Sequence, residues 1–204
     1  KLATLGRGGS CKVFKVLAPN SPHQILALKR IKLPKTDNKT LANFINEIDL
    51  MQRLRGRDNI IQLIDSEIDK SRKVVYMVME AGETDLAHRL NNLKEKTKSG
   101  DLDENFLRVT CQSMLEAVNT IHGKRIVHSD LKPANFLFVK GVLKLIDFGI
   151  AKAIASEDTT NIYRENQIGT VNYMSPEALI DTSAQRNGMS RSKKSMVMKL
   201  GRAS

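Results

Sequence analysis

A short segment in the middle of the chain has the residue types for proton transfer and metal binding at close spacing. Asp130, Lys132 and Asn135 lie within the sequence His-Ser-Asp-Leu-Lys-Pro-Ala-Asn. A carboxylate can orient a hydroxyl and accept its proton, an ammonium can meet a transferring phosphoryl group, and an amide can bind a metal. Asp147 follows within Asp-Phe-Gly, directly after an apolar run, where a hard carboxylate suits Mg²⁺. The order and spacing predict phosphoryl-transfer chemistry.

A glycine-rich segment near the N-terminus is the second feature with chemical potential. Gly6 and Gly8 stand between two predicted strands, where their backbone N–H groups can approach phosphates without a Cβ in the way. The segment alone fits an ordinary glycine hairpin equally well, and Cys11 takes the place of the third glycine of G-x-G-x-x-G. Lys29, on the next strand, can neutralise phosphate oxygens. Glu47 lies on the inner side of an apolar helix and can pair with Lys29, because a buried carboxylate needs a partner.

The elements that position these residues follow from hydrophobic periodicity. The first third reads as strands with one helix, and a long amphipathic helix and two short strands follow the connector. Predicted strands are Leu2–Leu5, Lys12–Leu17, Gln24–Lys32, Ile60–Ile64, Val74–Met79, Phe136–Val139 and Val142–Ile146, and predicted helices are Asp37–Leu54 and Glu104–His122. The apolar stripe of the second helix comprises Leu107, Cys111, Met114, Leu115, Val118 and Ile121. The fold class is α+β, with residues 155–166 as a polar loop.

Composition limits the class of protein. The 204 residues include two cysteines and carry a net charge of +11. A disulfide framework is excluded and an intracellular chain is expected, because no apolar leader or membrane-length apolar run occurs. Cys111 falls on the apolar helix stripe and is predicted to be in the core, whereas Cys11 fits either a small buried residue or a reactive thiol.

The C-terminal residues 182–204 carry much of the basic excess. Six Lys and Arg residues and no acidic residue occur there. The composition predicts a disordered segment, for which a solvated charged loop is favoured over binding of nucleic acid or anionic lipid, because no aromatic residue alternates with the charges.

In this order, the motifs resemble those of eukaryotic protein kinases. The glycine loop, Ala27-Leu28-Lys29, Glu47, the segment from His128 to Asn135, Asp147-Phe148-Gly149 and Ser175-Pro176-Glu177 match over about the first 180 residues. Within the superfamily, the chain is similar to the monopolar-spindle (TTK-like) dual-specificity kinases. That similarity rests on Met77–Glu80, Ile121-His122, Ile126–Leu137, Leu143–Ala151 and Gly169–Met174.

The resemblance implies a role for each matching residue. Asp130 is the catalytic carboxylate and Lys132 assists it, while Asn135 and Asp147 hold Mg²⁺. The residues implied for ATP binding are Leu5, Gly6, Gly8, Val13, Ala27, Lys29, Glu47, Met79 (the gatekeeper), Glu80, Gly82, Leu137 (the adenine floor) and Asp147. His128 is given a structural role. Autophosphorylation is expected at Thr159, Thr160 or Thr170, and for Thr170 a structural role close to Asp130 is the alternative.

A bilobal fold is implied, with a β-rich N-lobe at 1–79, a hinge at 80–82, a partial helical C-lobe at 83–181 and the basic segment at 182–204.

The sequence departs from the family pattern in two places. Ser129 replaces the usual arginine of H-R-D, so this arginine cannot bind a phosphorylated activation loop. The chain also stops soon after the A-P-E position, and we expect a fragment that lacks the lower helices and is poorly soluble and inactive alone.

The implied function is transfer of the ATP γ-phosphate to Ser/Thr hydroxyls of proteins, and a dual specificity that includes Tyr is left open. The subfamily resemblance implies a role in the mitotic spindle checkpoint and chromosome segregation, with spindle or kinetochore partners and a location in the nucleus, at kinetochores and in the cytoplasm. Two alternatives are a catalytically inactive kinase-like binding module and a small-molecule phosphotransferase, the latter disfavoured by Lys132 and Ser175-Pro176-Glu177. No membrane and no specific nucleic-acid partner is expected.

Overall fold

The structure is a computed structural model that describes residues 2–8, 11–18, 21–33, 38–96, 101–148, 152–153, 161–164, 170–174 and 196–199. The first eighty residues form a five-stranded antiparallel sheet with one helix, and the following residues form two helices and small sheets. One hydrophobic core runs through both parts, from Ile31 and Met77 in the large sheet to Phe136 and Phe148. The α+β class is confirmed.

The large sheet has the strand order β1-β2-β3-β5-β4. Its strands are β1 Ala3–Gly8, β2 Cys11–Ala18, β3 Ser21–Lys32, β4 Leu63–Asp69 and β5 Val74–Glu80. The register places Gly6 opposite Val13, Val13 opposite Lys29, and Lys29 opposite Met77. The sheet therefore aligns a loop glycine, Val13 and the lysine on adjacent strands.

Helix α1, Asn38–Arg53, confirms the predicted helix to within one residue at each end. Its inner face buries Ile48, Leu50 and Met51 together with the carboxylate residue Glu47, which is 1% exposed. Ile45 precedes Ile48 by three residues, a helical spacing, but is exposed. The helix thus carries one acidic side chain into an apolar contact surface, where it needs a charged partner.

The apolar run Ile60–Ile64 is not one strand, and that prediction is wrong. Ile60 and Ile61 are buried outside the large sheet, and β4 begins only at Leu63. The Ile61 N–H donates to the Leu145 carbonyl at 3.0 Å, and the Leu145 N–H donates to the Asn59 carbonyl at 2.9 Å. Ile60, Ile61 and Leu63 are buried between the sheet and the second half of the chain, whereas Ile64 is exposed.

The second half begins with β6 Thr84–Asp85 and helix α2 Leu86–Lys96, which the sequence analysis did not predict. Helix α3, Glu104–His122, has the predicted bounds, and the Asp103 carboxylate caps it by accepting from the Phe106 N–H at 2.7 Å. Further elements are β7 Ile126–Val127, a 3₁₀ turn at Pro133–Asn135, β8 Phe136–Val139 and β9 Val142–Leu145. In the turn between β8 and β9, the φ angles of 51° at Lys140 and 79° at Gly141 suit a tight hairpin.

The buried face of α3 differs from the predicted stripe. Cys111 is exposed, so its assignment to the core is wrong, and Leu115 is 70% exposed. The side chains that meet the core are Phe106, Thr110, Met114, Ala117 and Ile121. Their spacing of four, four, three and four residues is also helical, and contacts with β7 and β9 select this face.

Three short strands and a 3₁₀ turn at Val171–Tyr173 complete the described part of the chain. Strand β10, Lys152–Ala153, pairs with β7, and β11, Asn161–Arg164, pairs with β12, Met196–Lys199. The predictions of a loop over 155–166 and of disorder over 182–204 are therefore wrong at β11 and β12. A strand pair formed by residues this far apart has no local signal. None of the described helices is long and apolar enough to cross a membrane.

Candidate active site

Lys29 and Glu47 form the predicted ion pair. Lys29 Nζ lies 2.6 Å from Glu47 Oε1, and Asp147 Oδ1 lies 3.8 Å from the same ammonium. Strand β3 supplies the lysine and the inner face of α1 supplies the glutamate, so the pair links the sheet to the helix. The ammonium faces two carboxylates, Glu47 buried in the core and Asp147 half exposed.

Charge and burial oppose each other at this pair. Burial acts to lower the pKa of Lys29, but the Glu47 and Asp147 carboxylates outweigh it and raise that pKa above its ordinary value. Lys29 is therefore a permanent cation under physiological conditions. A fixed ammonium between a buried and an exposed carboxylate can neutralise phosphate oxygens that arrive from the exposed side.

Asp130 is held by donors on both carboxylate oxygens. Oδ1 accepts from the Thr170 backbone N–H at 2.8 Å and from the Thr170 hydroxyl at 2.7 Å. Oδ2 accepts from Lys132 Nζ at 2.7 Å and from Asn135 Nδ2 at 3.2 Å. Lys132 also donates to the Thr170 hydroxyl oxygen at 2.7 Å, and Asn135 Nδ2 donates to the Asp130 carbonyl at 2.8 Å. Four donors fix one orientation of the carboxylate.

These donors also determine the ionisation of Asp130. Partial burial acts to raise its pKa, but the hydrogen bonds from Lys132 and Thr170 outweigh burial and lower the pKa below its ordinary value. The carboxylate is therefore deprotonated, as an acceptor of a hydroxyl proton must be. Thr170 forms hydrogen bonds with Asp130 and Lys132, which agrees with the structural role that was the alternative to phosphorylation at this residue.

His128 is the buried support beneath this loop. Its Nε2 lies 3.0 Å from the Ile146 carbonyl oxygen, and the Asp130 N–H donates to its Nδ1 at 3.3 Å. Because a carbonyl only accepts and an N–H only donates, the ring is neutral with its proton on Nε2. Burial lowers the pKa of His128, and its ring packs 5.3 Å from that of Phe148. These contacts fit the predicted structural role of His128, because one ring links the Asp130 loop to Ile146, the residue before Asp147.

Asn135 and Asp147 are brought together by the backbone. The Ile146 N–H donates to the Asn135 carbonyl at 2.9 Å, so Asp147 emerges beside Asn135. The Asn135 amide nitrogen donates to Asp130, which leaves its side-chain oxygen available to accept a contact from a bound ligand or metal. Asp147 has a φ angle of 63°, a left-handed conformation that few non-glycine residues adopt. An amide oxygen and a half-exposed carboxylate are the hard donors that Mg²⁺ prefers.

The connector between the two parts follows β5. Ala27 is opposite Met79 and Leu26 is opposite Glu80 in the register of β3 with β5. Gly82 lies so close to β8 that a Cβ there would be 2.4 Å from Leu137 Cγ and 2.6 Å from the Phe138 carbonyl oxygen. The structure thus brings the expected hinge and the expected adenine floor into contact.

The glycine loop is described only in part. Leu5 is half exposed, and a Cβ at Gly6 would meet no atom within 4 Å. Burial raises the pKa of the Cys11 thiol above its ordinary value, which favours the alternative of a small, partly buried residue over that of a reactive thiol. Gly8 ends β1. Thr159, Thr160 and Ser175-Pro176-Glu177 lie outside the described residues, so the phosphorylation sites stay a prediction.

Comparison with known proteins agrees with this geometry. The protein kinase domain family matches residues 1–195. The chain belongs to the protein kinase family. A kinase structure with 26% identity, the CAK complex from Chaetomium thermophilum bound to ATP-gamma-S, has a TM-score of 0.70 over 86% of this chain and 53% of that chain.

Three curated relatives of this kinase domain belong to one group within the protein kinase family. Over the whole length of this chain, it is 51% identical to a protein of Dictyostelium discoideum named probable serine/threonine-protein kinase mps1. Over the same length it is 47% identical to the serine/threonine-protein kinase mph1 of Schizosaccharomyces pombe. It is 47% identical over 91% of its length to the dual specificity protein kinase TTK of Mus musculus. These alignments span 19%, 28% and 20% of the relatives. The resemblance to the monopolar-spindle (TTK-like) kinases is confirmed.

Two residues of the kinase site were missed by the sequence analysis. Lys144 Nζ lies 2.8 Å and 3.0 Å from the two carboxylate oxygens of Glu80, and the Gln62 N–H donates to Glu80 Oε1 at 2.8 Å. The three residues come from separate regions of the chain and share no motif. No signal in the spacing could have found this contact.

Proposed function

We propose that the protein transfers the γ-phosphoryl group of ATP to protein hydroxyl groups. One observation carries the proposal. The deprotonated Asp130 carboxylate is fixed by Lys132 and Thr170, and the strand that ends beside Asn135 delivers Asp147 to within 3.8 Å of the Lys29 ammonium. A proton acceptor and a phosphate-binding cation thus belong to one site, as phosphoryl transfer requires.

The residues divide the reaction between them. The substrate hydroxyl enters at Asp130 by replacing the longest of its four donors, the 3.2 Å contact from Asn135. Its oxygen forms a bond to the γ-phosphorus while the bond from that phosphorus to the β–γ bridging oxygen breaks, and ADP leaves. Asp130 takes the hydroxyl proton, Lys132 balances negative charge on the transferred group, and Lys29 holds the phosphates of the nucleotide.

Mg²⁺ fits the donor set of the site. Asp147 and the side-chain oxygen of Asn135 would hold the cation, which supplies charge neutralisation at the phosphates when bound. Lys29 restrains the Asp147 carboxylate from one side, and the Asp130 contacts orient the Asn135 amide so that its oxygen is the atom left for a ligand.

The biological role follows from similarity. Relatives named serine/threonine-protein kinase and dual specificity protein kinase support Ser and Thr, with Tyr in addition, as the accepting residues. The TTK-like resemblance supports a role in the mitotic spindle checkpoint, spindle or kinetochore proteins as partners, and a location in the nucleus, at kinetochores and in the cytoplasm.

The substitution Asp130→Asn, made in the full-length protein because the chain alone is expected to be inactive, tests the proposal. It keeps the side-chain size but removes the proton acceptor, so turnover of Mg-ATP with a generic basic protein falls about 10²–10⁴-fold. ATP affinity, measured by calorimetry, changes by less than about threefold because the nucleotide is held elsewhere. Asp58→Asn, an exposed carboxylate outside the site, is the matched control. Wild-type protein that binds ATP without transferring phosphate would instead support a kinase-like binding module.

A further inference from the structure

Glu80 is the junction of three segments at the end of β5. Its carboxylate accepts from Lys144 Nζ on both oxygens, at 2.8 Å and 3.0 Å, and from the Gln62 backbone N–H at 2.8 Å. The Glu80 N–H donates in return to the Gln62 carbonyl at 3.1 Å. Lys144 is 11% and Glu80 20% exposed, so solvent screens this pair only weakly. A bidentate, largely buried ion pair holds the connector at its first residue.

The two partners of Glu80 lie in different parts of the fold, Lys144 on β9 and Gln62 in the turn before β4. Lys144 lies on β9, where it is opposite Leu137, and it precedes Asp147 by three residues. Gln62 organises the turn before β4: its Oε1 accepts from the Gly56 N–H, and its Nε2 donates to the carbonyls of Arg57 and Ile60, each at 2.8 Å. The Glu80 contacts therefore tie the connector both to the large sheet and to the strand pair that carries the adenine floor.

The position of Lys144 opposite Leu137 makes this contact relevant to the nucleotide base. Leu137 is the side chain that Gly82 approaches most closely. The connector and Leu137 are therefore two adjoining walls of the expected adenine site, in contact at Gly82. An ion pair between Glu80 on the connector and Lys144 on the strand pair of Leu137 fixes these walls relative to each other before any ligand arrives, which lowers the ordering cost of binding.

We propose that Lys144 is a positioning residue whose ion pair with Glu80 holds the connector, residues 80–82, in place against the expected adenine floor Leu137. The proposal rests on the proposed function, because it takes ATP as the phosphoryl donor. The ion pair acts on the base end of the nucleotide and leaves the phosphate end, around Lys29 and Asp147, unchanged.

The substitution Lys144→Met keeps the length of the side chain and removes its charge. We expect KM for ATP to rise about tenfold, the size of one lost charge-assisted hydrogen bond, with kcat within about twofold of wild type. Lys144→Arg keeps the charge and the donors and restores KM to within about threefold. Lys140→Met, an exposed lysine of the same hairpin, is the matched control and leaves KM unchanged.

Binding measurements separate this proposal from a general structural effect. Calorimetric affinity for adenosine falls about tenfold in Lys144→Met, whereas affinity for inorganic tripolyphosphate stays within about twofold. Glu80→Gln, which keeps an acceptor for the Gln62 N–H, gives a smaller loss of adenosine affinity and serves as the second variant if Lys144→Met does not fold. Equal losses for both ligands, or none for adenosine, overturn the positioning role alone. Wild-type protein that binds neither ligand overturns the nucleotide site and the positioning role together.

Discussion

Replacing Gly82 by alanine introduces a methyl group into the closest contact between the connector and β8. The added Cβ would lie 2.4 Å from Leu137 Cγ, 2.5 Å from Leu137 Cδ2 and 2.6 Å from the Phe138 carbonyl oxygen. The Leu137 side chain can rotate away, but the Phe138 carbonyl cannot, because it is part of β8 and accepts from the Glu83 N–H at 2.8 Å. The backbone of the connector or of β8 must therefore move. The resulting strain places the loss in the free energy of unfolding near the upper end of the ~1–3 kcal/mol typical of overpacking.

Urea unfolding followed by circular dichroism measures this cost as a change in the free energy of unfolding. We expect a loss of about 2–3 kcal/mol, which corresponds to a melting temperature lower by about 4–12 °C for a chain of this size. Gly6→Ala is the control: its Cβ meets nothing within 4 Å, so stability changes by less than about 1 kcal/mol. In a Gly82→Ala background, Leu137→Ala costs less than it does alone, because it removes two of the three collisions. Stability of Gly82→Ala within about 0.5 kcal/mol of wild type would refute the close-approach argument.

Two further predictions concern titration and thiol reactivity. Burial holds the pKa of His128 below its ordinary value, so the unfolded chain binds a proton before the folded chain does as pH falls. The contribution of His128 to the free energy of unfolding is therefore complete above the unfolded pKa of about 6.5. Below that pH it is lost, by up to ~1.4 kcal/mol per pH unit. Urea titrations between pH 7.5 and 5.5 should show a flatter dependence in His128→Gln, and an unchanged slope would contradict a neutral buried ring. Iodoacetamide at pH 7.5 should alkylate the exposed Cys111 before Cys11, whose thiol has a raised pKa; mass spectrometry of the peptides reads the order, and faster labelling of Cys11 would contradict it.

The candidate site residues could be picked out from the sequence because their motifs are local. Asp130, Lys132 and Asn135 share one loop, and the φ requirement of the turn at Lys140-Gly141 marks the hairpin before Asp147. Helices α1 and α3 were also predicted almost to the residue, because 3.6-residue periodicity and capping are properties of neighbouring positions. For these features, short-range sequence order carries the structural information.

Periodicity could not select between two faces of the same helix. The stripe that includes Cys111 and the face that includes Thr110 and Ala117 both repeat with helical spacing, and only the contacts of α3 with β7 and β9 decided which is buried. The run at Ile60 shows the same limit, because its apolar character reports burial and not strand pairing. In both cases, the neighbour across the core supplied the missing information.

The sequence by itself determined which side chains match the kinase motifs and the order in which the chain presents them. Only the tertiary structure decided that Thr170 completes the donors of Asp130 and that Gln62 and Lys144 meet at Glu80. The physical reason is that contacts between distant residues depend on loop closure and on the packing of whole elements, which no local pattern encodes. A carboxylate recruits whichever donors the fold brings within reach, and its pKa and orientation follow from those donors.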